Sequence, residues 1–114
     1  MPVKNDEIKR LITRFIQEIK NDIRINKIIL FGSYATGKIK QSSDIDLIVV
    51  SKDFEKKDEI EAIQYLFRKA SRISSLIEPI PASYSEVKNA DKRDFMGQVI
   101  KYGKVIYSQG RFLI

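Results

Sequence analysis

Two aspartates two positions apart, Asp44 and Asp46, follow a Gly32-Ser33 pair after ten intervening residues. At the start of an extended segment, side chains at alternate positions project from one face. Two residues of strand separate the Cα atoms by roughly 6.5–7 Å, so the carboxylates can converge on divalent ions that sit about 3.5–4 Å apart in two-metal sites. Mg²⁺ suits such a pair, because it binds through one or two carboxylates together with substrate phosphates. Gly32 lets the backbone approach a phosphate without a side chain in the way, and N–H groups at such a turn cradle it. The Ser33 hydroxyl adds a donor. Lys38 and Lys40, in the loop between, carry charge that either meets a phosphate or is simply solvated.

Singly, Gly-Ser reads as an ordinary turn and Asp-x-Asp as an ordinary strand opening. Together, four fixed positions at residue frequencies of about 5–7% coincide roughly once in a hundred thousand starting points. Two carboxylates on one face, beside the apolar run Leu47-Ile48-Val49-Val50, also repel each other unless a cation sits between them.

The elements that must hold these residues follow from periodicity. Residues 5–23 place Ile8, Leu11, Ile12, Phe15, Ile16 and Ile19 on one helical face, with Asn5 as N-cap. Residues 27–31 form a short β-branched strand that stops at Gly32, and 44–50 form a second strand. A helix is expected over 57–73, with Ile60, Ile63, Leu66, Phe67, Ala70 and Ile73 inward. Residues 76–82 read as a third strand. Pro79 and Pro81 lack N–H donors on the same side of it, which confines it to a sheet edge. A third helix over 91–102, with Phe95, Met96, Val99 and Ile100 inward and Gly103 as its stop, leads to a last strand at Val105-Ile106-Tyr107. The expected fold is α/β (α+β): a mixed sheet of about four strands packed with helices, in a single domain over 1–114.

Composition narrows the chemistry. With neither histidine nor cysteine, any catalysis rests on carboxylates, hydroxyls and cations, and no disulfide framework or thiolate metal site exists. The longest apolar runs are too short to span a bilayer and the N-terminus lacks a signal-peptide core, so a cytoplasmic protein is expected. A net charge of +6 favours polyanionic partners, or simply reflects an Ile- and Lys-rich proteome. The basic residues are scattered among acidic neighbours with no aromatic-basic recognition motif, so a nucleic-acid binder is an alternative the pattern does not favour.

Gly32-Ser33, ten residues, then Asp44-Ile45-Asp46 resembles the motif of the DNA polymerase beta-like nucleotidyltransferase superfamily. The flanks Phe31 to Gly37 and Ser43 to Val49 resemble its minimal nucleotidyltransferase branch, to which kanamycin nucleotidyltransferase is related. The resemblance implies the nucleotidyltransferase fold, two Mg²⁺ ions on Asp44 and Asp46, and ATP as the donor of a nucleoside monophosphate. It implies nucleotide contacts at Gly32, Ser33 and Ser43, and a third carboxylate on a neighbouring strand that binds metal and activates the acceptor hydroxyl. Glu78 is the candidate, sharing a strand face with Leu76 and Ile80, an odd neighbourhood for an unpaired charge. Glu86 is the reserve, although Ser83 and Glu86 read more simply as a capping box. A chain this small has no second lobe for the acceptor. Either a homodimer completes the site or a partner presents the acceptor, and the resemblance to antitoxins of this branch implies a helical HEPN-type partner modified on a tyrosine. A non-catalytic partner-binding module on the same fold is the other reading. Tyr34, Tyr84, Tyr102 and Tyr107 serve either as packing or as stacking surfaces.

Overall fold

A computed structural model describes residues 5–36 and 44–113. Helix α1 (Asn5–Ile19) has acidic Asp6 and Glu7 in its first turn, where they complement the positive end of the helix dipole. Strand β1 (Lys27–Phe31) ends at Gly32, and the single-turn helix α2 (Ser33–Thr36) follows at once. Strand β2 (Ile45–Ser51) pairs antiparallel with β1 and parallel with β3 (Ile77–Ser83). Parallel neighbours need a long crossover, and α3 (Glu59–Ser71) supplies it. The short helix α4 (Tyr84–Lys88), helix α5 (Phe95–Tyr102) and strands β4 (Lys104–Ser108) and β5 (Arg111–Phe112) complete the order. The sheet runs β3-β2-β1-β4-β5, so the mixed sheet is as expected and has one strand more than expected. Gln109 and Gly110, both at positive φ, turn the β4–β5 hairpin, the backbone such two-residue loops require.

The proline-bearing strand β3 lies at the edge, as the missing donors at Pro79 and Pro81 dictate. One sheet face buries Ile28, Leu30, Leu47, Val49 and Ile77 against α1 and α3. The other buries Ile29, Ile48, Val50 and Ala82 against Met96 and Val99 of α5. Tyr65 donates its hydroxyl to Asp22 (2.6 Å), and Lys69 and Arg72 pair with Glu18; these contacts tie α3 to the end of α1.

Two helices differ from expectation in what they bury. On α3 the inward residues are Ala62, Leu66 and Ala70, whereas Ile60, Ile63 and Phe67 are exposed. The small alanines let the helix axis approach the sheet, and the larger stripe is displaced beyond it. Helix α5 begins at Phe95 rather than 91, because the Asp91 carboxylate accepts from the backbone N–H of Arg93 (3.0 Å) and holds a turn there. Its Phe95 and Ile100 are exposed, while Met96 and Val99 are buried. Gly103 ends the helix as expected, in an extended conformation. Ser83 and Glu86 form the capping box of α4, which occupies Glu86 in a structural role.

Candidate active site

The register explains why three distant segments meet. Phe31 of β1 is the cross-strand partner of Asp46, and Asp46 in turn is the partner of Glu78 on β3. Adjacent strands lie roughly 4.8 Å apart, and cross-strand partners share a face. Phe31, Asp46 and Glu78 therefore form one row on the α5 side of the sheet, at the end where β1 stops and β2 and β3 begin. Asp44 lies just ahead of β2. Glu78 stands within hydrogen-bonding reach of both Asp44 and Asp46.

The electrostatics follow from that crowding. Partial burial first, and then the Asp44 charge, push the Asp46 carboxyl above its usual range, and a hydrogen bond from Glu78 offsets part of the rise. Glu78 is raised as well, by desolvation first, then by repulsion from Asp44 and Asp46, and by hydrogen bonds that favour its protonated form. A shared proton on Glu78 thus relieves like charges that cannot all ionise cheaply side by side. Among the described residues no group of three carboxylates is placed to hold a metal ion by itself. The donor set is nonetheless all oxygen and held by neighbouring strands, which suits a hard cation that keeps part of its own water and takes phosphate ligands.

Gly32 sits directly against this row with φ +74°. A Cβ at this position would run into the Asp46 carboxylate oxygen. Glycine is thus required twice over, by the left-handed backbone and by the carboxylate's approach. Ser43 and the Ser33 hydroxyl lie outside the described residues, as do Lys38 and Lys40. Of the tyrosines, Tyr107 is buried and packs edge-on against Phe112, and Tyr34 is half-buried against the core. Tyr84 and Tyr102 are exposed.

Residues 13–111 match the family model described as polymerase beta, nucleotidyltransferase. The chain belongs to that family. A protein of Methanocaldococcus jannaschii provisionally named a protein adenylyltransferase is 31% identical over 99 residues, which cover 81% of this chain and 95% of that one. In a solved toxin–antitoxin structure with AMP-PNP, one chain is 28% identical with a TM-score of 0.61, over 85% of this chain and 73% of that one. A solved Sulfolobus solfataricus protein provisionally described as a nucleotidyltransferase has a TM-score of 0.65 over 100% of this chain and 99% of that one. At 18% identity that likeness is one of fold alone.

In this nucleotidyltransferase, the reading of single segments missed what borders the carboxylate row. Phe31 and Phe95 pack edge to face with ring centroids 5.8 Å apart, and Phe95 remains 59% exposed. Helical periodicity placed Phe95 inward. The signal that bears on it is Asp91, whose carboxylate accepts from the Arg93 backbone N–H and delays the helix start to Phe95.

Proposed function

We propose that this chain transfers AMP from ATP to a side-chain hydroxyl of a partner polypeptide, and thereby acts as the antitoxin half of a pair with a helical, HEPN-type toxin. The observation that carries this reading is the convergence of Asp44, Asp46 and Glu78 against Gly32 at one end of the sheet. The names of its relatives support it: one is called a protein adenylyltransferase and another comes from a toxin–antitoxin complex holding an ATP analogue.

Asp44, Asp46 and Glu78 would hold Mg²⁺, two ions in the full site. Bound Mg²⁺ supplies charge neutralisation of the triphosphate and of the departing pyrophosphate. The remaining work falls to the chain. Gly32 leaves room for the triphosphate to lie against the β1–α2 turn, with Ser33 and Ser43 as further nucleotide contacts. Glu78, on the far side of Asp46 from Gly32, orients the acceptor hydroxyl and takes its proton. The hydroxyl oxygen forms a bond to the α-phosphorus as the bond to pyrophosphate breaks. Binding that presents the hydroxyl in line is itself a large part of such catalysis.

The test is transfer from α-labelled ATP with Mg²⁺, with and without the protein encoded beside this one, for wild type and for Asp44→Ala/Asp46→Ala. Label on the neighbour that vanishes in the double variant supports the proposal. Absence of label, with the neighbour still bound equally well by both proteins, overturns it in favour of a binding module.

A further inference from the structure

Strand β3 is covered unevenly on the face that carries Glu78. Ala82 is buried there beneath Met96, but Ile80, two residues beyond Glu78, is 38% exposed. Beyond the end of this strand, a cleft of about 530 Å³ opens between α4 and the start of α5. Ser83, Glu86 and Asn89 line one side and Asp94, Phe95 and Met96 the other. Among the described residues no lysine or arginine lines it, in a chain with a net charge of +6.

Two further observations bear on what such a cleft takes. Asp94 is the N-cap of α5, yet its side chain makes no capping hydrogen bond. An aspartate in that position ordinarily accepts from the next turn of backbone N–H groups, so its carboxylate is left to face the cleft. Phe95 is braced by Phe31, itself the cross-strand partner of Asp46, and keeps more than half of its surface open. A rigid aromatic wall fixed to the catalytic row is a means of seating a side chain at a set distance from it.

We propose that this cleft is the acceptor site: an extended polypeptide segment lies over Ile80 and against Phe95, with basic residues beside Asp94 and Glu86, and presents its hydroxyl residue to Glu78. The charge decides the class of acceptor. A lining whose charged side chains, among the described residues, are Glu86 and Asp94 repels a polyphosphate or a nucleic-acid strand and attracts a basic peptide. The triphosphate occupies the Gly32 side of the row, and in-line displacement requires the acceptor to enter from the side opposite the leaving pyrophosphate. Of the cleft's lining, Phe95 reaches the row, through its contact with Phe31, and the acceptor would enter past it. The assignment rests on the transferase reading above, so its test separates the two.

The probes are two fluorescent synthetic peptides with a central tyrosine, one flanked by leucine and lysine, the other by leucine and glutamate. Anisotropy with Mg–ATP measures binding, and α-labelled ATP measures transfer. Wild type is expected to bind the lysine peptide at least ten-fold more tightly than the glutamate peptide. Phe95→Ala should weaken that binding about ten-fold with the KM for ATP unchanged, and Asp94→Lys should erase the preference; thermal melts confirm that both variants fold. Binding that responds in this way without any transfer upholds the acceptor cleft and sinks the catalytic proposal. Binding indifferent to Phe95 and Asp94 overturns the cleft. A raised KM for ATP with peptide affinity unchanged also overturns it, and assigns Phe95 to the nucleobase.

Discussion

Replacing Glu78 by glutamine should make the metal-free protein more stable and the enzyme inactive. Glutamine keeps the shape and can donate hydrogen bonds to Asp44 and Asp46, as the protonated glutamate does, but it carries no charge at any pH. At the strand spacing of roughly 5 Å, each ionised neighbour repels an ionised Glu78 by ~0.8 kcal/mol in bulk water and ~3 kcal/mol at an effective dielectric constant of 20. Glu78 is exposed, which places the net effect near the solvent-screened end, about 1 kcal/mol. For 114 residues that corresponds to a rise in melting midpoint of about 3–6 °C. The sign with pH is fixed by the raised carboxyl. The folded wild type holds this proton more tightly than the unfolded chain does, so the associated stability is complete below the unfolded value of about 4.3 and is lost as pH climbs through the folded value. The advantage of Glu78→Gln should therefore be absent at pH 4 and fully open at pH 8. Melts in chelator across that range, paired with transfer assays in Mg²⁺, test both halves; if Glu78 is the proton acceptor as proposed, its removal should cost roughly 10²- to 10⁴-fold in rate. A variant that melts below wild type at pH 8, or that transfers AMP at the wild-type rate, would refute the reasoning.

Gly32→Ala should lose about 1–2 kcal/mol from the left-handed backbone alone. Displacement of Asp46 should lower transfer by ~10²-fold, as small misplacements of a reacting group do; urea unfolding and rate assays read the two effects separately. Mg²⁺ should raise the melting midpoint of wild type but not of Asp44→Ala/Asp46→Ala, by an amount that approaches about 2.7 kcal/mol at a hundred times the dissociation constant. Tyr65→Phe should lower stability at neutral pH, because the Tyr65 hydroxyl, aided by Lys69 and Lys57, holds Asp22 below its usual range. A depressed carboxylate stabilises above its unfolded value and ceases to as pH falls, so the two proteins should converge in melts toward pH 2. Leu66→Ala, at a fully buried position, should cost about 2–5 kcal/mol by urea titration.

What was legible in the sequence divides along physical lines. Strands β1 to β3 were readable because their apolar runs are short, β-branched and bounded by glycine, proline or charge, and Pro79 with Pro81 even gave the sheet edge. Glu78 stood out in the sequence as a charge among apolar neighbours; the structure leaves it exposed and makes it the cross-strand partner of Asp46. Helix α3 carries two apolar stripes, Ala62-Leu66-Ala70 and Ile60-Ile63-Phe67. The expected inward face mixed the two: Leu66 and Ala70 are buried as expected, whereas closeness of approach to the sheet put Ala62, not the bulkier Ile60, Ile63 and Phe67, beside them. The turn at Asp91 is a local side-chain bond that helical periodicity cannot register, and it shifted α5 by four residues. The aromatic wall beside the carboxylates is a matter of register between β1 and β2 together with the phase of α5, information that no single segment holds.

Both rims of the sheet are blunted, and this bears on how the protein behaves at high concentration. On β3 the prolines remove donors from the outward side, and at the opposite rim β5 is two residues long and carries Arg111. Both features disfavour a second copy zipping onto either rim by main-chain bonds. Association between crowded copies is then left mainly to side chains, whose choice of partner is more selective.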